Sequence, residues 1–478
     1  MENTRTRRRI LAASGFLAAS ALAGCLDGGP EPEPPNGDDD ENGNGGDGEN
    51  GDDDTNGNDV PEPVEGKSDL PPARDVNPVT DVEDTAALVE LVRGNTAFAS
   101  DVYRQVLGDA EEDNFVISPY SISAALAMTR AGARGDTADA LDDAMRYVLE
   151  DDALHTSFAA LRAEMDARND VELDEDEDEE FILRVVNAAW GQEGYPFLED
   201  YLETLEAHYG AGLREVDFGS DPEGAREEIN DWVAEQTEDR IDDLLPEGSI
   251  DPLTTLVLTN AIYLNASWAT PFPDDATDKA EFTLLDGNTK DVQMMRNSAR
   301  YPYAELDGHQ AVELPYVGGD VSMVVVLPSE DVEFVEFERS LDAPRLVEFT
   351  DALENEEGTV RMPRFGFESS FALKDVLSSL GAEVAFDPTN ADFGGMVDLD
   401  ATGENLFIDD VYHDTFIEVD EEGTEAAAAT GVVVGRTSAP TDPFEMTVDR
   451  PFVFFLRDRR TGTVLFLGRV VEPEDPHD

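Results

Sequence analysis

Five histidines, a single cysteine and 109 carboxylates are the groups through which this 478-residue chain could do chemistry. Serine, histidine and aspartate all occur, so counting alone leaves a Ser-His-Asp set open. No G-x-S-x-G elbow holds a serine out on a strained turn, and an enzyme is not expected. One cysteine can form no intramolecular disulfide. Nor can it build a zinc cluster of four cysteines, or of two cysteines with two histidines. The runs Asp38-Asp39-Asp40-Glu41 and Asp52-Asp53-Asp54 could meet calcium, but no EF-hand spacing accompanies them and they read as solvated chain. No metal and no cofactor is expected.

The most pointed chemistry belongs to a stretch of backbone. Glu421 is followed by Gly423-Thr424-Glu425-Ala426-Ala427-Ala428-Ala429-Thr430, and Gly431 leads on into Val432-Val433-Val434. Four alanines favour a helix by propensity. The flanking glycines interrupt such a helix, and the valines favour a strand. Small residues followed by β-branched ones suit a strand that must enter between two others already packed, where bulk would meet a close-packed interior. In period two, Thr424, Ala426, Ala428, Thr430, Val432 and Val434 share one face, small at its leading end and apolar later. Glu425 falls on the other face, where it stays hydrated.

The start of the chain is an address. Thr6-Arg7-Arg8-Arg9-Ile10-Leu11 is followed by small and apolar residues to Gly24, too short a run for a comfortable membrane span. It resembles a twin-arginine export signal, and Leu22-Ala23-Gly24-Cys25 resembles a lipobox whose lipid acceptor is the chain's only cysteine. Residues 1–25 are read as this signal, which predicts an extracellular chain held at the cell surface by a lipid on Cys25. Residues 26–81 read as a disordered acidic linker rich in Gly, Asn and Pro. Between 27 and 69 there are 16 acids and one lysine, a composition that cannot bury enough apolar surface to fold. The run Asp174 to Glu180 reads as a surface loop.

A net charge of −77 argues against nucleic acid as a partner, because a phosphate backbone needs a cationic footprint. It argues equally against adhesion to anionic lipid, so contact with a membrane is expected only through the lipid anchor. Only four of the 32 cations are lysines. Such a surface repels itself at low salt, whereas at molar salt the Debye length falls to about 3 Å. The chain is expected to work in very high salt, as proteins of salt-loving archaea do.

Residues 82–478 must hold the elements that position the Glu421–Val434 stretch. Asp84 to Leu107 and Ala225 to Ile241 carry apolar residues at helical steps. Leu256-Val257-Leu258, Val321 to Leu327, Phe407-Ile408 and Val453 to Leu456 read as strands, and the continuous run Met323 to Leu327 suits one buried on both faces. Several strings in this region, taken in order, resemble the serpin family. They are Asn114-Phe115-Val116-Ile117-Ser118-Pro119-Tyr120-Ser121-Ile122-Ser123 with Gly132-Ala133-Arg134-Gly135-Asp136-Thr137, and Ile229-Asn230-Asp231-Trp232-Val233 with Leu244-Leu245-Pro246. Thr259-Asn260-Ala261-Ile262-Tyr263-Leu264-Asn265-Ala266-Ser267-Trp268 follows, then the stretch from Glu418 to Thr430, then Asp449-Arg450-Pro451-Phe452-Val453-Phe454-Phe455.

The resemblance implies an α+β serpin fold, with large mixed β-sheets, about eight or nine helices and an exposed reactive centre loop at about 421–443. It implies an inhibitor that acts as a suicide substrate of a serine protease, its cut loop entering the main sheet as a new strand. The alternative is a non-inhibitory serpin with a binding or structural role at the cell surface. Family spacing from the hinge glutamate puts the scissile bond at Thr437-Ser438, or one residue earlier at Arg436-Thr437. The first suits a subtilisin-like target, the second a trypsin-like one. Matched positions also suggest a shutter of Ser118, Ser121, Asn260 and His413, and a breach of Trp268 with an Arg364–Glu421 bridge. A monomer is expected.

Overall fold

A computed structural model describes residues 70–108, 113–170, 181–399, 403, 406–424 and 443–477, with the side chain of Asn260 left aside. Among them are nine helices: α1 Thr85–Val106, α2 Pro119–Gly132, α3 Gly135–Ala144, α4 Asp151–Ala167, α5 Glu199–Thr204, α6 Pro222–Gln236, α7 Phe334–Arg339, α8 Ala343–Ala352 and α9 Lys374–Leu377. The strands are β1 Phe115–Ile117, β2 Phe181–Gln192, β3 Leu213–Val216, β4 Leu256–Ser267, β5 Asp278–Thr283, β6 Thr289–Leu306, β7 His309–Pro315, β8 Val321–Leu327, β9 Glu354–Pro363, β10 Phe365–Ala372, β11 Tyr412–Val419, β12 Gly423–Thr424, β13 Phe444–Thr447, β14 Phe452–Asp458 and β15 Val464–Val470. They form a six-stranded sheet in the order β10-β11-β12-β4-β2-β3, and a nine-stranded sheet whose path runs β1-β15-β14-β8-β7-β6-β9-β13 with β5 beside β6. Both sheets are mixed, because β3 joins β2 and β13 joins β9 in parallel. The class is α+β.

Local chemistry sets the element boundaries. Asp84 starts α1 by accepting from the Ala87 amide at 3.0 Å, and Ser118 with Pro119 starts α2. Every residue of β8 is buried, since β7 and β14 flank it and the apolar core covers it on both faces. Helix α6 stops at Gln236, short of Ile241, because Glu238 and Asp239 take left-handed φ angles of 55° and 63°. Phe407-Ile408 is not a strand: the Ile408 amide is spent on Ala385 O at 3.0 Å, and Phe407 is exposed. Residues 70–81, which composition assigns to the linker, lie on the folded body. The Asn77 amide donates to Arg460 O, and the Val79 and Thr80 amides donate to the Glu164 carboxylate.

The main core lies between the sheets and α1 and α2. A charged knot sits within it. Arg168, its side chain 1% exposed, reaches Glu164 at 2.8 Å and Asp458 at 2.5 Å. Asp458 in turn accepts from the amide and hydroxyl of Thr461, closing the turn between β14 and β15. Removing one partner of such a knot strands the other charge in a dry interior. Asp458→Ala is expected to lower stability by about 3–5 kcal/mol, read as the shift of a urea unfolding curve in molar salt.

Candidate functional site

The site begins where β11 ends. After Val419 the chain reverses through Asp420, whose carboxylate accepts from the Glu422 amide at 2.9 Å and the Gly423 amide at 3.2 Å. The Asp420 amide donates to Gly423 O at 3.1 Å, and an aspartate opening so tight a turn is well suited to it. Glu421, itself buried, is thereby aimed into the guanidinium fork of Arg364. The Arg364 Nε and Nη2 atoms donate to its two oxygens, both at 2.7 Å, and Thr277 adds a hydroxyl donor. Burial by itself would raise the Glu421 carboxyl, but the Arg364 and Thr277 hydrogen bonds outweigh it and hold the group below the usual carboxylate range.

Trp268 closes the other side. Its amide donates to Glu422 O at 2.7 Å and its indole Nε1 to Asp420 O at 3.0 Å. The ring stacks on Tyr316, with centroids 4.5 Å apart and planes 10° from parallel. The Tyr316 hydroxyl lies 2.7 Å from Thr424 Oγ1. Glu421, Arg364 and Trp268, picked from the sequence, are thus brought together. Asp420, Thr277 and Tyr316 were not picked; only the Asp-x-x-Gly spacing of Asp420 and Gly423 carried a turn signal.

The turn delivers Gly423 and Thr424 between β11 and β4. Thr424 stands opposite Val419 on one side and Ala266 on the other, and Gly423 stands opposite Ser267. A Cβ on Gly423 would come within 2.1 Å of Ala266 O, so only glycine passes here. Beyond Thr424, β11 and β4 share no ladder among the described residues. A small cleft continues there between Ile262 and Leu264 on β4 and Phe416 and Ile417 on β11, roofed by Thr237, Arg240 and Ile241.

Farther down β11, His413 is buried. Its Nε2 accepts from the Ser118 amide at 2.9 Å, so the ring is neutral with its proton on Nδ1. Burial pushes its pKa down to about 3. Ser118 Oγ donates to Leu465 O at 2.7 Å and accepts from the Ser121 amide at 3.3 Å. Thr415, two residues on, donates to Val116 O at 2.7 Å. These bonds tie the inner face of β11 to the junction of β1 and α2. Asn260 stands in β4 opposite Asn187. Among the described residues no group of His, Cys, Asp and Glu is placed to hold a metal ion.

A family model described as Serpin (serine protease inhibitor) matches residues 93–473. The chain belongs to the serpin family. This serpin is 40% identical to an uncharacterized serpin-like protein of Thermococcus kodakarensis, over 80% of this chain and 86% of that protein. It is 38% identical to a leukocyte elastase inhibitor A of Mus musculus, over 80% of this chain and 100% of that one. Among solved structures, cleaved Serpin 42Da matches with a TM-score of 0.71 at 32% identity, covering 82% of this chain and 100% of the other. The native thermophilic serpin Tengpin matches with a TM-score of 0.71 at 27% identity, covering 84% and 97%. The α+β fold is the serpin fold.

The hinge positions Glu425, Ala426, Ala427, Ala428, Ala429 and Thr430, the scissile candidates Arg436, Thr437 and Ser438, and Cys25 lie outside the described residues of this serpin. Two tests follow from the residues inside them. Arg364→Ala leaves Glu421 buried without its fork, at a cost of about 3 kcal/mol. Hydrogen exchange at the Gly423 and Thr424 amides is expected to quicken, and Arg364→Lys restores only part of the protection, since an ammonium has no planar fork.

The second test concerns pH. With a folded pKa of about 3 against an ordinary value near 6.5, unfolded His413 binds the extra proton, so its stabilising contribution is lost as pH falls through that window. Asp414, raised to about 6 by burial, acts in the opposite sense. Between pH 6 and pH 4 the parent is expected to lose roughly 1.4 kcal/mol per pH unit more than His413→Gln, in paired urea titrations.

Proposed function

We propose that this serpin traps a serine-type endopeptidase as a suicide substrate, through cleavage and strand insertion of the segment after Thr424. The seat of Gly423 and Thr424 carries the reading, because the first two residues of an added strand already lie between β11 and β4. Continued in that register, Ala426 would stand opposite Ile417 and Leu264, Ala428 opposite Thr415 and Ile262, and Thr430 opposite His413 and Asn260. Ile417, Leu264 and Ile262 belong to the main core, so the inward face of the strand would settle on apolar surface. Val434 would arrive opposite Leu256, the first residue of β4. The strand would then span about a dozen residues, or roughly 40 Å.

The target's serine would attack the Thr437 carbonyl, release the Ser438 amine and leave an ester between protease and loop. The bond one residue earlier would present Arg436, which calls for a pocket carrying a buried carboxylate. Insertion must outrun deacylation, which proceeds on the scale of about 1 to 10³ per second. About a dozen new ladder bonds at roughly 0.5–1.5 kcal/mol each supply on the order of 10 kcal/mol. A protease hauled down the sheet by its ester has its active site pulled out of shape, and about 1 Å of misplacement costs roughly a hundredfold in rate. The serpin itself supplies no catalytic group. We place this monomer at the cell surface, tethered by a lipid on Cys25 after twin-arginine export, in salt concentrated enough to screen its carboxylates.

Incubation with a subtilisin-like and a trypsin-like protease in molar salt is expected to yield a covalent complex that survives denaturing electrophoresis. Sequencing the released peptide reads the bond. Cleavage without a complex would instead make the chain a non-inhibitory serpin. Thr424 is 4% exposed, so Thr424→Arg must bury a charge at the leading position. That variant is expected to be cut as a substrate, with complex yield at least tenfold lower.

A further inference from the structure

The match to the family ends at residue 473, yet the chain does not leave the molecule there. Residues 474–477 lie across the start of β10 and against the hinge turn. The Gly366 amide donates to Glu474 O at 3.0 Å. Pro476 rests on Gly366 closely enough that a Cβ at that position would stand 3.1 Å from its own. Asp475 Oδ1 is 3.7 Å from Arg364 Nη1, and His477 Nε2 is 3.5 Å from Asp420 Oδ2. The His477 amide, folded back onto Asp475 Oδ1 at 3.1 Å, keeps the two side chains in step.

Each of these contacts falls on a group that holds the hinge. Arg364 forks Glu421 with two nitrogens and offers its remaining edge to Asp475. Asp420 shapes the turn with one oxygen and faces His477 with the other. The surrounding charges are Glu418, Asp420, Glu421 and Asp475 against Arg364 and Arg240, with the His477 imidazole facing Asp420. A segment that sets a carboxylate beside Arg364 and an imidazole beside Asp420 touches both anchors at once. Asp475 and Asp420 are largely shielded, so their pairings are less open to salt than exposed ones.

We propose that residues 474–477 are a strap that positions the hinge turn and thereby slows insertion of the uncut loop. Asp475 and His477 are positioning residues, acting through Arg364 and Asp420. The proposal rests on the inhibitor reading, since only a chain that can insert its loop needs a brake on doing so. The strap spans the turn through which β11 passes into β12. Without it that turn opens more readily, and β11 and β4 can part ahead of Thr424.

The test compares the parent with a chain stopped after Pro473 and with Asp475→Asn, His477→Ala and His477→Arg. Each is held uncut in molar salt below its melting temperature while the heat-resistant fraction is followed. The stopped chain is expected to convert about tenfold faster than the parent, and Asp475→Asn and His477→Ala about threefold faster. His477→Arg, which keeps a nitrogen donor facing Asp420, is expected to convert at the parent's rate. Equal rates across the set overturn the strap. Should the stopped chain fail to fold, the point variants decide by the same criterion. Urea midpoints of the loop-cut forms are expected to agree, and a shift there as large as in the uncut forms would mean general destabilisation and overturn the strap too. A parent that gains no heat resistance even after its loop is cut removes the inhibitor reading and the strap with it; a parent that gains it, beside equal rates, removes the strap alone.

Discussion

The organising constraint in this serpin is a sheet whose β11 and β4 are bridged at one end by two residues. Backbone donors and acceptors along a strand demand partners. Among the described residues, β11 and β4 find a shared partner only in Gly423 and Thr424. The neighbourhood of that bridge follows from making two residues hold. Gly423 has no side chain because Ala266 O leaves no room for one. Thr424 is small, buried and bonded to Tyr316. The preceding turn is pinned by Asp420, by Trp268 and by the Arg364 fork on Glu421. Lower down, His413 is held neutral against Ser118, so β11 is tied to α2 without any charge in the dry interior.

Charge is divided between two settings that respond differently to salt. Arginine carries the buried pairs: Arg168 with Glu164 and Asp458, Arg469 with Glu338, and Arg457 with Glu313. A guanidinium suits this work because its flat, fixed fork can satisfy a carboxylate from two nitrogens. Burial alone raises the Glu338 carboxyl, even beside Arg469. Lysine is rare in the chain, and Lys290 meets Glu472 at the surface. Dissolved ions screen exposed carboxylates and leave the interior knots nearly untouched. An acidic exterior can thus sit over an interior whose ion pairs work at any salt concentration.

Much of the fold was legible from local pattern. The helix predicted from Asp84 to Leu107 is α1, and the run around Met323 to Leu327 is the fully buried β8. Errors came where a contact distant in sequence, or a left-handed turn that no glycine marks, overrides local preference. Phe407-Ile408 is β-prone but has its amide taken by Ala385 O. Residues 70–81 look like more linker until Glu164 supplies the acceptor for two of their amides. The helix around Ile229 and Trp232 ends at Gln236 because two consecutive left-handed residues break it, and no glycine announces them.

By itself the sequence determined what each position can tolerate: small residues, then β-branched ones after Glu421, a fork-bearing arginine at 364, an interior of apolar runs and an exterior of carboxylates. Those are properties of composition and period, which neighbours along the chain express. Tertiary structure decided which groups meet. The Tyr316 hydroxyl reaches Thr424 across 108 residues, the Ser118 amide reaches His413 across 295, and the Arg364 fork reaches Glu421 across 57. Such bonds depend on distance in space, and only the packing of the two sheets brings those partners within 3 Å.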